Sequence, residues 1–358
     1  MQPRQLPLFA EAPTRPFNYP FPTTRYQGSK RTLVDWIWNA VGNLSFDSVL
    51  DAFGGTGVVS HMFKNAGKRV VYNDILRFNW NFALALIENR SVKLCDEDVE
   101  LVLSHTPSAQ VSDFIQSTFR DIYFTHEENA WLDRTVYNID HLLSDPYRQA
   151  LARFALCQAC IIKRPYNLFH RANLYMREAR VERSFGNKVT WDTSFETHFR
   201  NFVREANAAV FDNQKPNSAL IGDALDTPTD FDLVYIDPPY LNERGIGVDY
   251  HDFYHFLEGL VDYDTWRDRV DFRSKHRRLL PARSPWNNAK TVLEQFRLLL
   301  DRHRHSIIVI SYRSNGIPSR DQLLDVIRGF KHRIHEASLP KQYVLSRQKS
   351  HELLLIGS

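Results

Sequence analysis

The chain has 358 residues, with 45 Lys and Arg against 42 Asp and Glu, a formal net charge of +3. Hydrophobic residues make up 43% and charged residues 24%, a globular mix that excludes collagen-like and largely disordered chains. Three cysteines cannot build a disulfide framework, and no run approaches the roughly 20 apolar residues of a membrane span.

Residues 1–24 carry six prolines (Pro3, Pro7, Pro13, Pro16, Pro20, Pro22) without periodicity and read as a flexible tail, with folded sequence starting at Arg25. No apolar stretch follows a basic cap, so no secretory signal is expected, and the expected compartment is the cytoplasm. Residues 32–43 predict a helix with Leu33, Trp36, Ile37 and Ala40 on one face. Ser48 to Phe53 predicts a strand that stops at Gly54-Gly55-Thr56-Gly57. A helix over Val58 to Ala66 and a second strand over Lys68 to Tyr72 follow, ending at Asn73-Asp74. Strand, glycine turn, helix, strand and acid together open a doubly wound parallel sheet.

From about 78 to 215 the strand signal fades, and the runs at 84–87, 99–103 and 151–156 read as helical. Strands resume at Ala219 to Ile221, Phe231 to Ile236, Ser306 to Ser311 and Glu352 to Ile356. The expected architecture is α/β: a doubly wound, Rossmann-like sheet interrupted by a mostly helical insertion. A smaller insertion, about 241–290, follows the strand at 231–236.

Two constellations carry chemistry. Gly55 and Gly57 allow close backbone approach to a ligand, and the helix behind them presents its N-terminal N–H groups. Asp74 lies 19 residues after Gly55, where an acid meets ribose hydroxyls in nucleoside-binding sheets. A nicotinamide cofactor and S-adenosylmethionine fit this turn equally well. The second constellation is Asp237-Pro238-Pro239-Tyr240, directly after an apolar strand. Two prolines hold the backbone extended and remove two donors. What remains is a carboxylate, a proline carbonyl and an aromatic ring, a set suited to an amino group on a flat base.

These residues resemble the Dam-like DNA N6-adenine methyltransferases, whose cofactor motif precedes the catalytic one. Arg25-Tyr26-Gln27-Gly28-Ser29-Lys30 is similar to the family's N-terminal cofactor motif. Asp51 to Gly57 is similar to its glycine loop, Asn73-Asp74 to its ribose-binding acid, and Asp237 to Tyr240 to its catalytic tetrad. Ile221-Gly222-Asp223-Ala224 stands where the family places the acid that meets the cofactor adenine. Gln27 and Ser29 depart from the small residues or proline frequent in relatives. The resemblance covers about 25–90 and 215–358. It implies an S-adenosylmethionine-dependent enzyme acting on a flipped-out adenine in duplex DNA, with no metal. It implies cofactor contacts at Tyr26, Gly28, Ser29, Lys30, Asp51, Phe53, Gly55, Thr56, Gly57, Asp74, Asp223 and Ala224, and catalysis by Asp237, Pro238, Pro239 and Tyr240. The nearest alternatives are an RNA adenine or a DNA cytosine-N4 methyltransferase, and a non-catalytic DNA-binding relative.

On this reading 25–85 and 215–358 form the methyltransferase domain and 86–214 the target-recognition insertion. The densest basic stretch lies in that insertion. Lys163, Arg164, Asn167, His170, Arg171, Asn173, Arg177 and Lys188, interleaved with aromatics, are the expected DNA contacts. A second basic cluster, from Arg267 to Arg283, is read as a phosphate-contacting loop. Tyr250, Phe253, Tyr254 and Phe256 stand where they could wall a base pocket, although aromatics at helical spacing are more often core. Cys157 and Cys160 read as core packing. Gln5 to Phe9 resembles the short peptides that dock on the bacterial sliding clamp, and binding to DNA would place the protein on the nucleoid.

Overall fold

Short runs of Val, Ile and Leu bounded by Gly, Asn and Asp become strands here because β-branched side chains fit a pleated surface and the bounding residues break the ladder. The computed structural model describes residues 18–179, 188–341 and 350–358. Its strands are β1 (Ser48–Asp51), β2 (Arg69–Asp74), β3 (Ser218–Ile221), β4 (Leu233–Ile236), β5 (Ile307–Arg313), β6 (Ile334–Lys341) and β7 (Ser350–Gly357). They form one sheet in the order β3-β2-β1-β4-β5-β7-β6. The pairs from β3 to β5 are parallel, and β7 is antiparallel to both of its neighbours.

From β1 the chain moves outward to β2 and β3, then returns to β4 on the other side of β1. That reversal opens a crevice at the carboxyl ends of β1 and β4, where ligands bind in doubly wound sheets. Asp51 ends β1 and Asp237 directly follows β4, so the topology alone brings the two expected motifs together.

Neighbouring residues of each strand serve opposite faces. Val49, Val70, Tyr72, Leu233, Tyr235 and Val309 pack into one core with α1 (Val34–Val41), α2 (Val58–Asn65) and α3 (Arg77–Ala83). The remaining helices in chain order are α4 (Asp96–Leu103), α5 (Phe114–Thr118), α6 (His126–Leu142), α7 (Pro146–Ile162), α8 (Leu174–Glu178), α9 (Lys188–Asp192), α10 (Phe195–Ala209), α11 (Tyr250–Phe253), α12 (His255–Leu260), α13 (Tyr263–Arg269), α14 (Val292–Arg302) and α15 (Arg320–Arg328). Leu50, Val71, Val234, Ile236, Ile308 and Ile310 face the other way, onto α14 and α15. Helix starts follow the expected chemistry: Thr125 and Glu128 form a capping box on α6, and Asp145 with Pro146 opens α7. Among the described residues no helix is long and apolar enough to cross a membrane.

Within 86–214, Leu86, Phe154, Ala155, Phe199 and Val203 share one core with strands of the sheet. Two expectations are corrected. The chain packs before Arg25: Tyr19 stacks on Phe211 with ring centroids 4.1 Å apart, and Thr23 donates to Glu205 at 2.6 Å. Strand β6 was not anticipated. It is the sheet edge and carries Pro340, a residue tolerated where only one side is paired. The Gln5–Phe9 peptide lies outside the described residues, as do Arg180, Arg183 and Phe185 of the basic, aromatic-rich stretch between Arg177 and Lys188.

Candidate active site

The glycine turn is built around Tyr72. A Cβ at Gly54 would lie 2.0 Å from the Tyr72 ring, and the Tyr72 hydroxyl donates to the Gly55 carbonyl at 2.7 Å. Gly55 and Gly57 have φ of 51° and 80°, a left-handed region that glycine enters without strain. Asp74 pins the turn: Oδ2 accepts from the Gly55 N–H and Oδ1 from the Leu76 N–H, each at 2.8 Å. Burial raises the Asp74 pKa above the ordinary carboxylate range, and those N–H donors oppose the shift.

Asp51 is 1% exposed. Its Oδ2 accepts from Ser60 Oγ at 2.7 Å, while its Oδ1 is buried with no hydrogen-bond partner among the described residues. Burial pushes its pKa up to about 7, against the Ser60 bond. A buried acceptor beside a ligand cleft calls for a donor from the ligand. At the far end of β3, Asp223 accepts from the Leu225 N–H at 2.9 Å and from Trp286 Nε1 at 3.4 Å. Phe53 meets Trp286 edge to face at 4.7 Å, giving an aromatic slot beside an acidic acceptor. Trp286 escaped the sequence reading, because nothing near it in sequence marks a site.

The N-terminal motif folds over the same crevice. Tyr26 stacks on Tyr254 and Tyr250, with centroids 4.6 and 5.6 Å away. Gly28 has φ 83°, and a Cβ there would lie against the Tyr250 hydroxyl. Ser29 caps the short 3-10 turn Lys30–Leu33. That turn aims Lys30 inward, 2.9 Å from Asp237 Oδ1 and 2.9 Å from Glu352 Oε1. The Tyr240 hydroxyl lies 2.7 Å from Asp237 Oδ1, 2.8 Å from Glu352 Oε1 and 2.5 Å from Lys30 Nζ. Burial raises the Asp237 pKa; Lys30 opposes the rise and Glu352 adds to it. Glu352 also escaped the sequence reading, though an acid at the head of the apolar run Leu353 to Ile356 was a visible signal.

A single cleft of about 1010 Å³ joins these parts. All the expected cofactor and catalytic residues line it except Gly57, which sits behind as the first cap of α2. Of the expected wall aromatics, Tyr250 and Phe253 line the cleft, while Tyr254 and Phe256 are fully buried. Arg244, Arg283, Arg313 and Asn315 line it as well.

The expected DNA contacts divide in two. Lys163, Arg164, Asn173 and Arg177 are buried, which overturns their reading as surface contacts. Lys163 donates to the Trp191 and Thr193 carbonyls, and Arg164 to those of Tyr123, Leu168 and Arg171. Arg177 forks onto Glu128 at 2.7 and 2.8 Å. These cations brace the loop rather than face a ligand, since buried charge survives only when paired. What they hold up is a surface tip. Tyr166 is 58% exposed, Arg171 is exposed, Asn167 and His170 are half-buried, and exposed Lys188 pairs with Asp192. The second basic cluster is also partly neutralised, with Arg269 on Asp262 and Arg273 on Asp271. Cys157 and Cys160 are buried in α7.

Residues 26–265 match the model of the D12 class N6 adenine-specific DNA methyltransferases. Over 355 residues the chain is 28% identical to the type II methyltransferase M2.HphI of Haemophilus parahaemolyticus, covering 95% of this chain and 98% of that protein. It is 25% identical to the modification methylase StsI of Streptococcus sanguinis, over 86% of this chain and 46% of that one. It is 23% identical to the type II methyltransferase M.FokI of Planomicrobium okeanokoites, over 92% and 51% respectively. The chain thus spans nearly the whole of the first relative and about half of the other two.

Proposed function

The chain belongs to the D12 class N6 adenine-specific DNA methyltransferases, and on that premise we propose how its residues divide the work. The family fixes the reaction: a methyl group passes from S-adenosylmethionine to N6 of adenine in DNA. RNA, the cytosine amine and a nicotinamide cofactor drop out as alternatives.

The cleft fits the donor molecule. Asp51 Oδ1 lacks a partner among the described residues and suits an α-ammonium group. Gly54 leaves the loop no room for a side chain against Tyr72. Phe53, Trp286 and Asp223 suit a flat adenine with an exocyclic amine. Asp74 suits ribose hydroxyls while holding the glycine turn. When bound, S-adenosylmethionine supplies an electrophilic methyl on a sulfonium.

An adenine amine is a poor nucleophile, because its lone pair is delocalised into the ring. The Asp237 carboxylate and the Pro238 carbonyl accept its two N–H bonds, which favours a pyramidal nitrogen with a localised lone pair. Catalysis is then positioning and electrostatics. The amine must lose a proton as the methyl arrives, and a half-buried carboxylate with raised proton affinity is suited to receive it. A base inside a duplex cannot reach this cleft, so the adenine is flipped out and stacks on Tyr240. The braced tip at Tyr166, Asn167, His170 and Arg171, with Lys188, meets the DNA in this reading. In keeping with relatives named as modification methylases, we assign this chain a modification role on cellular DNA in the cytoplasm. The Gln5–Phe9 peptide is proposed as a clamp ligand, testable by pull-down of the full chain against one lacking residues 1–10.

The observation that carries the assignment is a half-buried Asp237 carboxylate, held by Lys30, in the same cleft as the glycine turn. Asp237→Ala should abolish methyl transfer to DNA while labelled S-adenosylmethionine still binds. Turnover near the wild-type rate would refute the assignment.

A further inference from the structure

Glu352 is fully buried in β7, followed by Leu353, Leu354 and Leu355, and the reaction as described gives it no task. A buried carboxylate is costly unless charged or hydrogen-bonding partners compensate it. It shares two partners with the catalytic acid. Lys30 Nζ sits 2.9 Å from each carboxylate. The Tyr240 hydroxyl sits 2.7 Å from Asp237 and 2.8 Å from Glu352. Ser311 Oγ donates to Glu352 at 3.1 Å, and the Tyr240 ring rests edge-on against Tyr312 at 5.0 Å.

We propose that Glu352 is a positioning residue for methyl transfer, sharing Lys30 and Tyr240 with Asp237 so that Asp237 remains a strong acceptor for the adenine amine. The proposal rests on the catalytic reading of Asp237 above. Paired with Asp237 alone, Lys30 would direct its whole charge at that carboxylate and draw electron density from the oxygens that must hold the amine. With Glu352 on its other side, the ammonium is divided between two carboxylates. Glu352 also fixes the far end of Tyr240, the ring on which the flipped base stacks. The contacts from Lys30 and Tyr240 both engage Oδ1 of Asp237, so the same network sets that carboxylate's rotation.

The field at Asp237 has identifiable sources among the described residues. Lys30 favours the ionised form, and Glu352 disfavours it. Asp51 from β1, Tyr235 from β4 and Tyr250 from α11 act on the same group at longer range. Removing the negative charge of Glu352 therefore makes Asp237 easier to ionise and weaker as an acceptor.

The test is Glu352→Gln in the full chain, which keeps size and hydrogen-bonding capacity but removes the charge. Single-turnover methyl transfer to a duplex carrying the enzyme's own site is followed against pH, alongside S-adenosylmethionine affinity and Tm. The rate should fall on the order of 10- to 100-fold, as for a displaced positioning group. Cofactor affinity should stay within about 3-fold, and the acidic limb of the rate profile should move to lower pH. Glu352→Asp keeps the charge but withdraws it by one methylene; it should keep the wild-type acidic limb at a several-fold lower rate. A Glu352→Gln rate within about 2-fold of wild type overturns the proposal, and so does a rate loss that follows the folded fraction with the acidic limb unmoved. If the Gln variant does not fold, a wild-type rate from Glu352→Asp overturns it instead. Asp237→Ala run in parallel separates the two claims: activity there removes the catalytic reading, whereas an inactive Asp237→Ala beside a normal Glu352→Gln removes only the role of Glu352.

Discussion

Replacing Gly54 by alanine tests whether the glycine turn is shaped by Tyr72. The new Cβ would lie 2.0 Å from Cε2 and 2.3 Å from Cδ2 of that ring, where ordinary contact begins at 3.4 Å. Ring and loop must therefore separate by more than an ångström. The ring cannot yield easily: it is fully buried, and its hydroxyl is tied to Gly55, one residue along the same loop. Overpacking of this kind costs about 1–3 kcal/mol. In a fold of this size that is a Tm loss of several degrees, at roughly 2–4 °C per kcal/mol. The functional effect should be larger, since displacing a positioning element by an ångström costs on the order of 100-fold. Calorimetric titration with S-adenosylmethionine should show at least a tenfold weaker Kd beside the modest fall in Tm. Tyr72→Leu removes the outer ring, so the two substitutions together should cost less than the sum of each alone. Wild-type affinity in Gly54→Ala, or strict additivity in the pair, would refute the account of the turn.

Other consequences can be measured with the same protein. If Asp51 receives the cofactor ammonium, affinity should rise with pH through about 7 and level off above it, because burial keeps the free carboxyl protonated below that point; Asp51→Asn should flatten the curve, measured as Kd against pH. The same shift bears on stability: the folded state holds a proton that the unfolded state has lost between the ordinary carboxylate value and about 7, so this residue's contribution declines with rising pH across that window. Trp286→Ala should weaken S-adenosylmethionine binding by an amount on the order of 1 kcal/mol, the scale of an aromatic contact, with methyl transfer restored at saturating cofactor. Arg171→Glu should weaken binding to all duplexes and lower the salt slope by about one without moving Tm, whereas Arg164→Ala should lower Tm by stranding three carbonyls; equal Tm losses in both would contradict the division between tip and brace.

What was legible in the sequence follows from which forces act locally. The parallel strands of the sheet centre are buried on both faces and read as apolar runs. The crevice was legible because Gly54 to Gly57 and Asp237 to Tyr240 are local motifs at strand ends. Strand β6 was hidden because an edge strand can mix His335, Glu336 and Ser338 with Pro340 and still pair. The basic stretch misled because composition does not distinguish Arg171 on the surface from Arg164 at 1% exposure, whose charge is absorbed by carbonyls brought in by folding. Trp286 and Glu352 belong to the site through contacts with residues 63 and 112 positions away; no local pattern marks Trp286, and for Glu352 the sequence offers only an acid at the head of an apolar strand.

The most direct measurement is methylation sequencing of plasmid DNA from cells expressing this chain, beside an Asp237→Ala control. The account predicts N6-methyladenine in one short sequence motif, absent from the control. Unmodified adenine in both samples, or the same modification surviving in the control, would contradict it.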